Sequence, residues 1–259
     1  MTSPLRAIQT DAGRYYPHDR RDLPSVTTVL GTLGKGDGIV QWAANLAADL
    51  AIKIGRTSPI YPHDRDAMRF SWRDARDSAA ALGDAVHGHA EWLMAHQGEF
   101  VVDDYLKAID DKKVRNRVKQ FIKWLDTYEV VPIYIEATVY NLTVGYAGSC
   151  DLMALVDGIP TLVDYKTSKS IRGSVALQCV AYARGEFILT DDGEVLDLPD
   201  FERAAVLHIR DRGYVFREVD IGEATYEQFC RLVRTKTDWI DGAESNALLD
   251  TIEPTKERV

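Results

Sequence analysis

"CDLMALVDGIPTLVDYK", residues 150–166, holds two apolar runs separated by Asp157–Gly158 and ends in an acid and a lysine two positions apart. Asp-Gly at the centre of a two-residue loop predicts a β-hairpin with a type I′ turn. That turn pairs residue 156 with 159 and, continued outward, sets Asp151 opposite Asp164, with Cβ atoms about 4.5–5.5 Å apart. A one-step shift of the loop pairs Asp151 with Lys166 instead. Side chains alternate along a strand, so either register keeps Asp151, Asp164 and Lys166 on one face. Burying these charges is costly unless they pair with one another or hold a cation. Hard oxygen donors this close suit Mg²⁺ or Mn²⁺. A metal-free Asp164–Lys166 ion pair is the alternative that an acid and a lysine two apart leave open.

The neighbours of the hairpin extend it into a sheet. "PIYIEATVYNL" (132–142) and "YAGSCDLMALV" (146–156) are β-rich, and "RAAVLHIRDRGYVFREVDI" (203–221) predicts two more strands around a turn at Asp211–Gly213. The first half of the chain has helical periodicity instead. A short helix starts after Ser25 as N-cap, and longer ones cover 39–54, 66–96 and 103–128. Further helices cover 172–186 and 223–240, while 1–24 is predicted to be a surface loop or short hairpin and 190–200 an acidic loop. This order predicts an α/β fold with one mixed central sheet flanked by helices. The 259 residues form a single domain on this reading, with a mostly helical part (1–130), a sheet core (131–220) and a C-terminal helix and tail (221–259).

Composition narrows the function. With 31 basic and 40 acidic residues the net charge is −9, so a polyanion has to be met by a local patch or through bound cations. Three scattered cysteines suit a reducing compartment. The absence of a signal-peptide pattern and of a membrane-length apolar run points to a cytoplasmic protein with no membrane partner.

Further motifs surround the hairpin. Gly148-Ser-Cys-Asp151 precedes Asp164-Tyr-Lys166-Thr167, and a helix follows with Gln178-Cys-Val-Ala-Tyr182. Upstream, "LGDAVHGHAE" supplies Gly83 and His87 four residues apart, and "PSVTTVL" and "QWAANLA" lie near the N-terminus. In this order and on these element types the motifs resemble the PD-(D/E)XK nucleases, in the RecB-type, phage-like exonuclease branch. The resemblance covers roughly residues 24–186 and implies a restriction-endonuclease-like core around the mixed sheet. It implies a divalent-metal-dependent deoxyribonuclease that hydrolyses DNA phosphodiester bonds from an end, in recombination, repair or phage DNA processing. DNA is then the partner, single- or double-stranded, with a recombination protein as a further candidate. Mg²⁺ or Mn²⁺ would be held by His87, Asp151, Asp164 and the backbone carbonyl of Tyr165. Lys166 would orient or activate the attacking water and offset charge on the phosphoryl group, and Gln178 and Tyr182 would border the site. Relatives with an iron–sulfur cluster use four cysteines, and this chain has three, so no cluster is expected.

Several alternatives stay open. Glu136 is a candidate outer acid for a metal, or a solvated strand residue. Gln178 and Tyr182 at i,i+4 share a helix face and equally suit a core tyrosine beside a surface glutamine. His89 falls about 200° from His87 around a helix and is expected to face elsewhere. Arg69, Arg73, Arg76 and the basic run 112–119 are candidate phosphate contacts or plain solvated faces. A structure-specific endonuclease, a CRISPR-adaptation-like nuclease and a catalytically silent DNA-binding subunit are the rival functions.

Overall fold

The computed structural model describes residues 7–243 apart from 20, 35, 191 and 192. Three short strands open the chain, β1 (Ile8–Thr10), β2 (Gly13–His18) and β3 (Arg21–Pro24), and pair as an antiparallel sheet. The expected surface loop or short hairpin is therefore a three-stranded sheet. It is anchored by Tyr16 and Leu23, which pack against Tyr140 and Ala147 of the main body. The Ser25 hydroxyl then accepts from the Thr28 amide at 3.0 Å and caps α1 (Val26–Gly31), as the sequence predicts.

Two long helices follow, α2 (Asp37–Gly55) and α3 (Arg65–Ala95). No residue of α2 is buried, and the buried positions of α3 (Val86, Ala90, Leu93 and Met94) all lie in its C-terminal part. The predicted helix over 103–128 is broken into α4 (Val102–Lys107) and α5 (Lys112–Thr127). The break comes from the Asp111 carboxylate, which accepts from the Lys113 and Val114 amides at 2.6 and 3.3 Å and starts a new helix.

The main sheet contains β4 (Val130–Asn141), β5 (Tyr146–Val156), β6 (Ile159–Lys166), β7 (Phe187–Leu189), β8 (Val195–Leu196), β9 (Arg203–Arg210) and β10 (Gly213–Val219). β7 precedes the expected acidic loop 190–200 and β8 interrupts it, two strands of three and two residues that the sequence pattern does not reveal. The strand order is β10-β9-β6-β5-β4-β7-β8. β6 and β9 run parallel and the other neighbours antiparallel, so the sheet is mixed as expected. The connection from β6 leads through α6 (Ser174–Ala183), and α7 (Glu223–Arg234) closes the described fold, followed by a π-helical stretch to Ala243.

Period-two alternation sends neighbouring side chains to opposite faces and so builds two cores. Met153, Leu162 and Val206 pack with α1, α6 and α7 through Val29, Val180 and Phe229. Leu152, Val163 and Leu207 pack with α3 and α5 through Leu93, Phe121 and Trp124. Helices thus cover both faces of an α/β sheet. No helix among the described residues is long and apolar enough to cross a membrane.

Candidate active site

The β5–β6 hairpin has the register that Asp157–Gly158 predicts, from Val156↔Ile159 to Leu152↔Val163. Both turn residues have positive φ, 51° and 78°, as a type I′ turn requires. Beyond Leu152↔Val163 the two strands part. β6 continues beside β9, with Asp164 opposite Val206, while β5 continues beside β4, with Cys150 opposite Ala137. Asp151 sits at the fork. Its carboxylate accepts from the Tyr165 amide at 2.5 Å and so closes the end of the ladder with a side chain.

Across from Asp151 stands Glu136. The ladder runs Ile135↔Leu152 and then Ala137↔Cys150, skipping the residue between on each strand. Glu136 has φ 51°, a left-handed conformation that a non-glycine residue adopts at a cost. Ile135 and Leu152 pack toward α3 and α5, whereas Ala137 and Cys150 pack toward α1 and α6. A step of two should keep the same face. The reversal turns Glu136 and Asp151 out of both cores together.

His87 reaches the fork from α3. Its Nδ1 lies 3.3 Å from Asp151 Oδ1, and its ring stands edge-on to Tyr165 with centroids 5.7 Å apart. His87, Glu136 and Asp151 each offer one ligand atom, all within 4.8 Å of one another. Gly83, one turn earlier on α3, lies beside Thr167, which a Cβ there would meet at 3.4 Å. His89 turns away and bonds the Tyr105 hydroxyl at 2.8 Å.

Asp164 and Lys166 stand on the other arm of the fork. Asp164 is 2% exposed, and its Oδ2 lies 2.6 Å from Lys166 Nζ. The contact is a close, buried ion pair. Asp151 and Asp164 remain electrostatic neighbours, but the tight three-residue grouping joins Asp151 to His87 and Glu136, not to Asp164. The Tyr165 contact seen at the site is made by its amide N–H, which donates to Asp151, and not by the carbonyl that the resemblance implies as a ligand.

The concentration of acids shifts their proton affinities. Burial, with the charge of Asp151 added, pushes Glu136 up to about 7, although the Ser149 hydroxyl donates to it at 3.2 Å. Burial also raises Asp164 to about 6 against the pull of Lys166. Burial alone would lower His87, but the hydrogen bond and charge of Asp151 outweigh it and hold the imidazole above its ordinary value. Lys166 behaves alike: burial opposes its charge, and Asp164 and Asp151 more than restore it. The site binds protons tightly, as crowded, buried carboxylates do.

His87, Glu136, Asp151 and Lys166 line a cleft of about 530 Å³ together with Arg14, Tyr16, Ser25, Gly148, Gln178 and Tyr182. Gln178 Nε2 donates to the Tyr182 hydroxyl at 3.4 Å, and Tyr182 is 3% exposed. A Cβ on Gly148 would come within 2.9 Å of the Tyr182 ring and 3.2 Å of Val26. The glycine of one motif therefore makes room for the tyrosine of another. A larger hollow of about 860 Å³, lined by His18, Arg21 and Leu142 among others, shows no comparable convergence of ligand groups.

The sequence pattern did not single out Arg14 and Tyr16, because no motif surrounds them and β2 carries no strong strand pattern, nor Glu91, which sits one turn after His87 on α3 and reads as an ordinary solvated helix acid. Of the basic candidates, Arg115 and Arg117 donate to the Ile109 and Lys113 carbonyls, while Arg69, Arg73 and Arg76 stack on Phe70 and Trp72. No protein-family model matches the chain, and no curated protein is significantly similar to it.

Proposed function

We propose that the protein is a divalent-metal-dependent deoxyribonuclease hydrolysing phosphodiester bonds. The observation that carries this reading is the meeting of His87, Glu136 and Asp151 within 4.8 Å, beside a buried Asp164 paired with Lys166 at 2.6 Å. One nitrogen and several carboxylate oxygens form a donor set that fits Mg²⁺ or Mn²⁺. His87, Glu136 and Asp151 would hold the ion, with Asp164 completing the set from the neighbouring strand. The ion, when bound, supplies Lewis acidity toward a phosphoryl oxygen.

The chain's own groups supply the rest. Lys166, fixed by Asp164, directs positive charge into the cleft, where it opposes negative charge developing on the phosphoryl oxygens. The Tyr165 amide holds the Asp151 carboxylate in one orientation. Gln178 and Tyr182, on α6, wall the cleft that Lys166 enters. The resemblance to RecB-type PD-(D/E)XK enzymes adds DNA as the substrate and a free end as the starting point.

The test uses end-labelled linear DNA and covalently closed circles, single- and double-stranded, with Mg²⁺, Mn²⁺ or EDTA. Linear DNA should be digested only with metal, and closed circles should survive. Lys166→Ala should retain Mn²⁺ binding by calorimetry and lose cleavage by several orders of magnitude, because a transition-state interaction is removed while the ligands stay. Cleavage in EDTA, or near wild-type turnover by Lys166→Ala, refutes the mechanism. Digested circles redirect it to an endonuclease.

A further inference from the structure

We propose that Arg14 is a phosphate-binding residue of this cleft, gripping the backbone of the DNA strand opposite the carboxylate cluster; the inference rests on the nuclease reading for its ligand. The cleft is lined by four carboxylates, those of Asp84, Glu91, Glu136 and Asp151. A phosphodiester entering it meets repulsion unless cations answer. Three basic side chains line the same cleft. Lys166 is held by Asp164 at 2.6 Å and His87 faces Asp151 at 3.3 Å. Arg14 has no carboxylate partner among the described residues and is exposed.

Its surroundings hold an exposed side chain in place. The Arg14 amide donates to Thr28 Oγ1 at 2.8 Å, and the Arg14 carbonyl accepts from the Ser25 amide at 2.8 Å and the Thr28 hydroxyl at 3.1 Å. Its backbone is thus clamped to the first turn of α1, and Ser25 bridges to β5 at Ala147. Gly13 permits the clamp: its φ is +133°, and a Cβ there would lie 2.5 Å from the Thr28 methyl. The guanidinium lies over the Tyr16 ring, 5.4 Å from its centroid, and Tyr16 is 3% exposed and fixed in the core. Stacking on a rigid ring leaves the planar N–H edge free for bidentate contact with phosphate oxygens, a geometry that arginine suits better than lysine.

Affinity for labelled single-stranded and duplex DNA, about 30 units long so that a ~4–16-nucleotide site is exceeded, is measured by anisotropy in EDTA from ~50 to ~200 mM salt. Arg14→Ala should weaken binding about tenfold and flatten the log–log salt slope by about 0.7 for single strands or 0.9 for duplex. Arg14→Lys should keep the slope. With Mn²⁺, Arg14→Ala should raise KM more than it lowers kcat, which separates strand binding from a structural defect. If wild type binds and cleaves while Arg14→Ala keeps its slope and KM, the inference falls and the nuclease reading stands. If the slope depends on Arg14 but no metal supports cleavage, the inference stands and the nuclease reading falls. A wild-type protein that binds neither form of DNA overturns the inference.

Discussion

Glu136 holds its proton more tightly in the folded chain than an ordinary glutamate does, because it is buried beside Asp151. A group whose folded pKa is raised from 4.5 to about 7 makes the fold less stable as pH rises through that interval. Asp164, raised to about 6, acts in the same direction, and His87, also raised, loses its contribution as it deprotonates. The metal-free protein should therefore lose thermal stability between about pH 5 and 7, and Glu136→Gln should lose less. Mn²⁺ favours the ionised carboxylates, so its stabilising effect should grow over the same range. Melting curves in EDTA and in Mn²⁺ at stepped pH check this; a wild-type curve in EDTA that rises with pH would contradict it. His87→Ala should weaken Mn²⁺ binding and activity together, whereas His89→Ala, bonded to Tyr105 away from the cleft, should change Mn²⁺ binding little. Paramagnetic broadening of the histidine ring resonances by Mn²⁺ distinguishes the two. Turn chemistry and alternation place Asp151, Asp164 and Lys166 close together on sequence alone, whereas His87 enters only through the resemblance and meets Asp151 through the packing of α3. Glu136 was ambiguous for a physical reason: its left-handed φ reverses the facing that alternation predicts. Arg14 was invisible because its clamp joins residues 14, 25 and 28 through tertiary contacts alone.

Between elements, β5 and α6 meet where Gly148 lies under Tyr182. A methyl at 148 would drive into the tyrosine ring at 2.9 Å and into Val26, both with little room to move. Gly148→Ala should cost about 1–3 kcal/mol by overpacking. Adding Tyr182→Leu should recover part of that loss, so that the two substitutions are non-additive in urea unfolding. Simple additivity would mean that the contact is not what Gly148 serves. Elements themselves were readable in proportion to their length and the regularity of their pattern. The hairpin, α3 and the β9–β10 pair follow from turn residues and periodicity. The split between α4 and α5 turns on one capping carboxylate at Asp111, inside a sequence that is periodic on both sides. β7 and β8 are too short for any period to register; their pairing with β4 and with each other makes them strands.

At the scale of the molecule, the site draws on α3, β4, β5 and β6, and its wall on β2, α1 and α6, so it exists only when most of the chain is in place. The parallel pairing of β6 with β9 gives this a direction in time. Asp164 and Lys166 lie on β6, and the strand that covers their open side, from Arg203 to Arg210, is made about forty residues later. During synthesis from the N-terminus, β6 leaves the ribosome with an unpaired edge and its ion pair open to water, and closing the intervening loop is slow. A chain stopped at residue 202 should therefore aggregate through that edge and bind no Mn²⁺ in calorimetry, whereas a fragment that stayed monomeric and bound the ion would show that β9 is dispensable. The order of strands along the chain thus acts as a delay: a half-made chain carries its acids and its lysine before the strand that completes their surroundings exists.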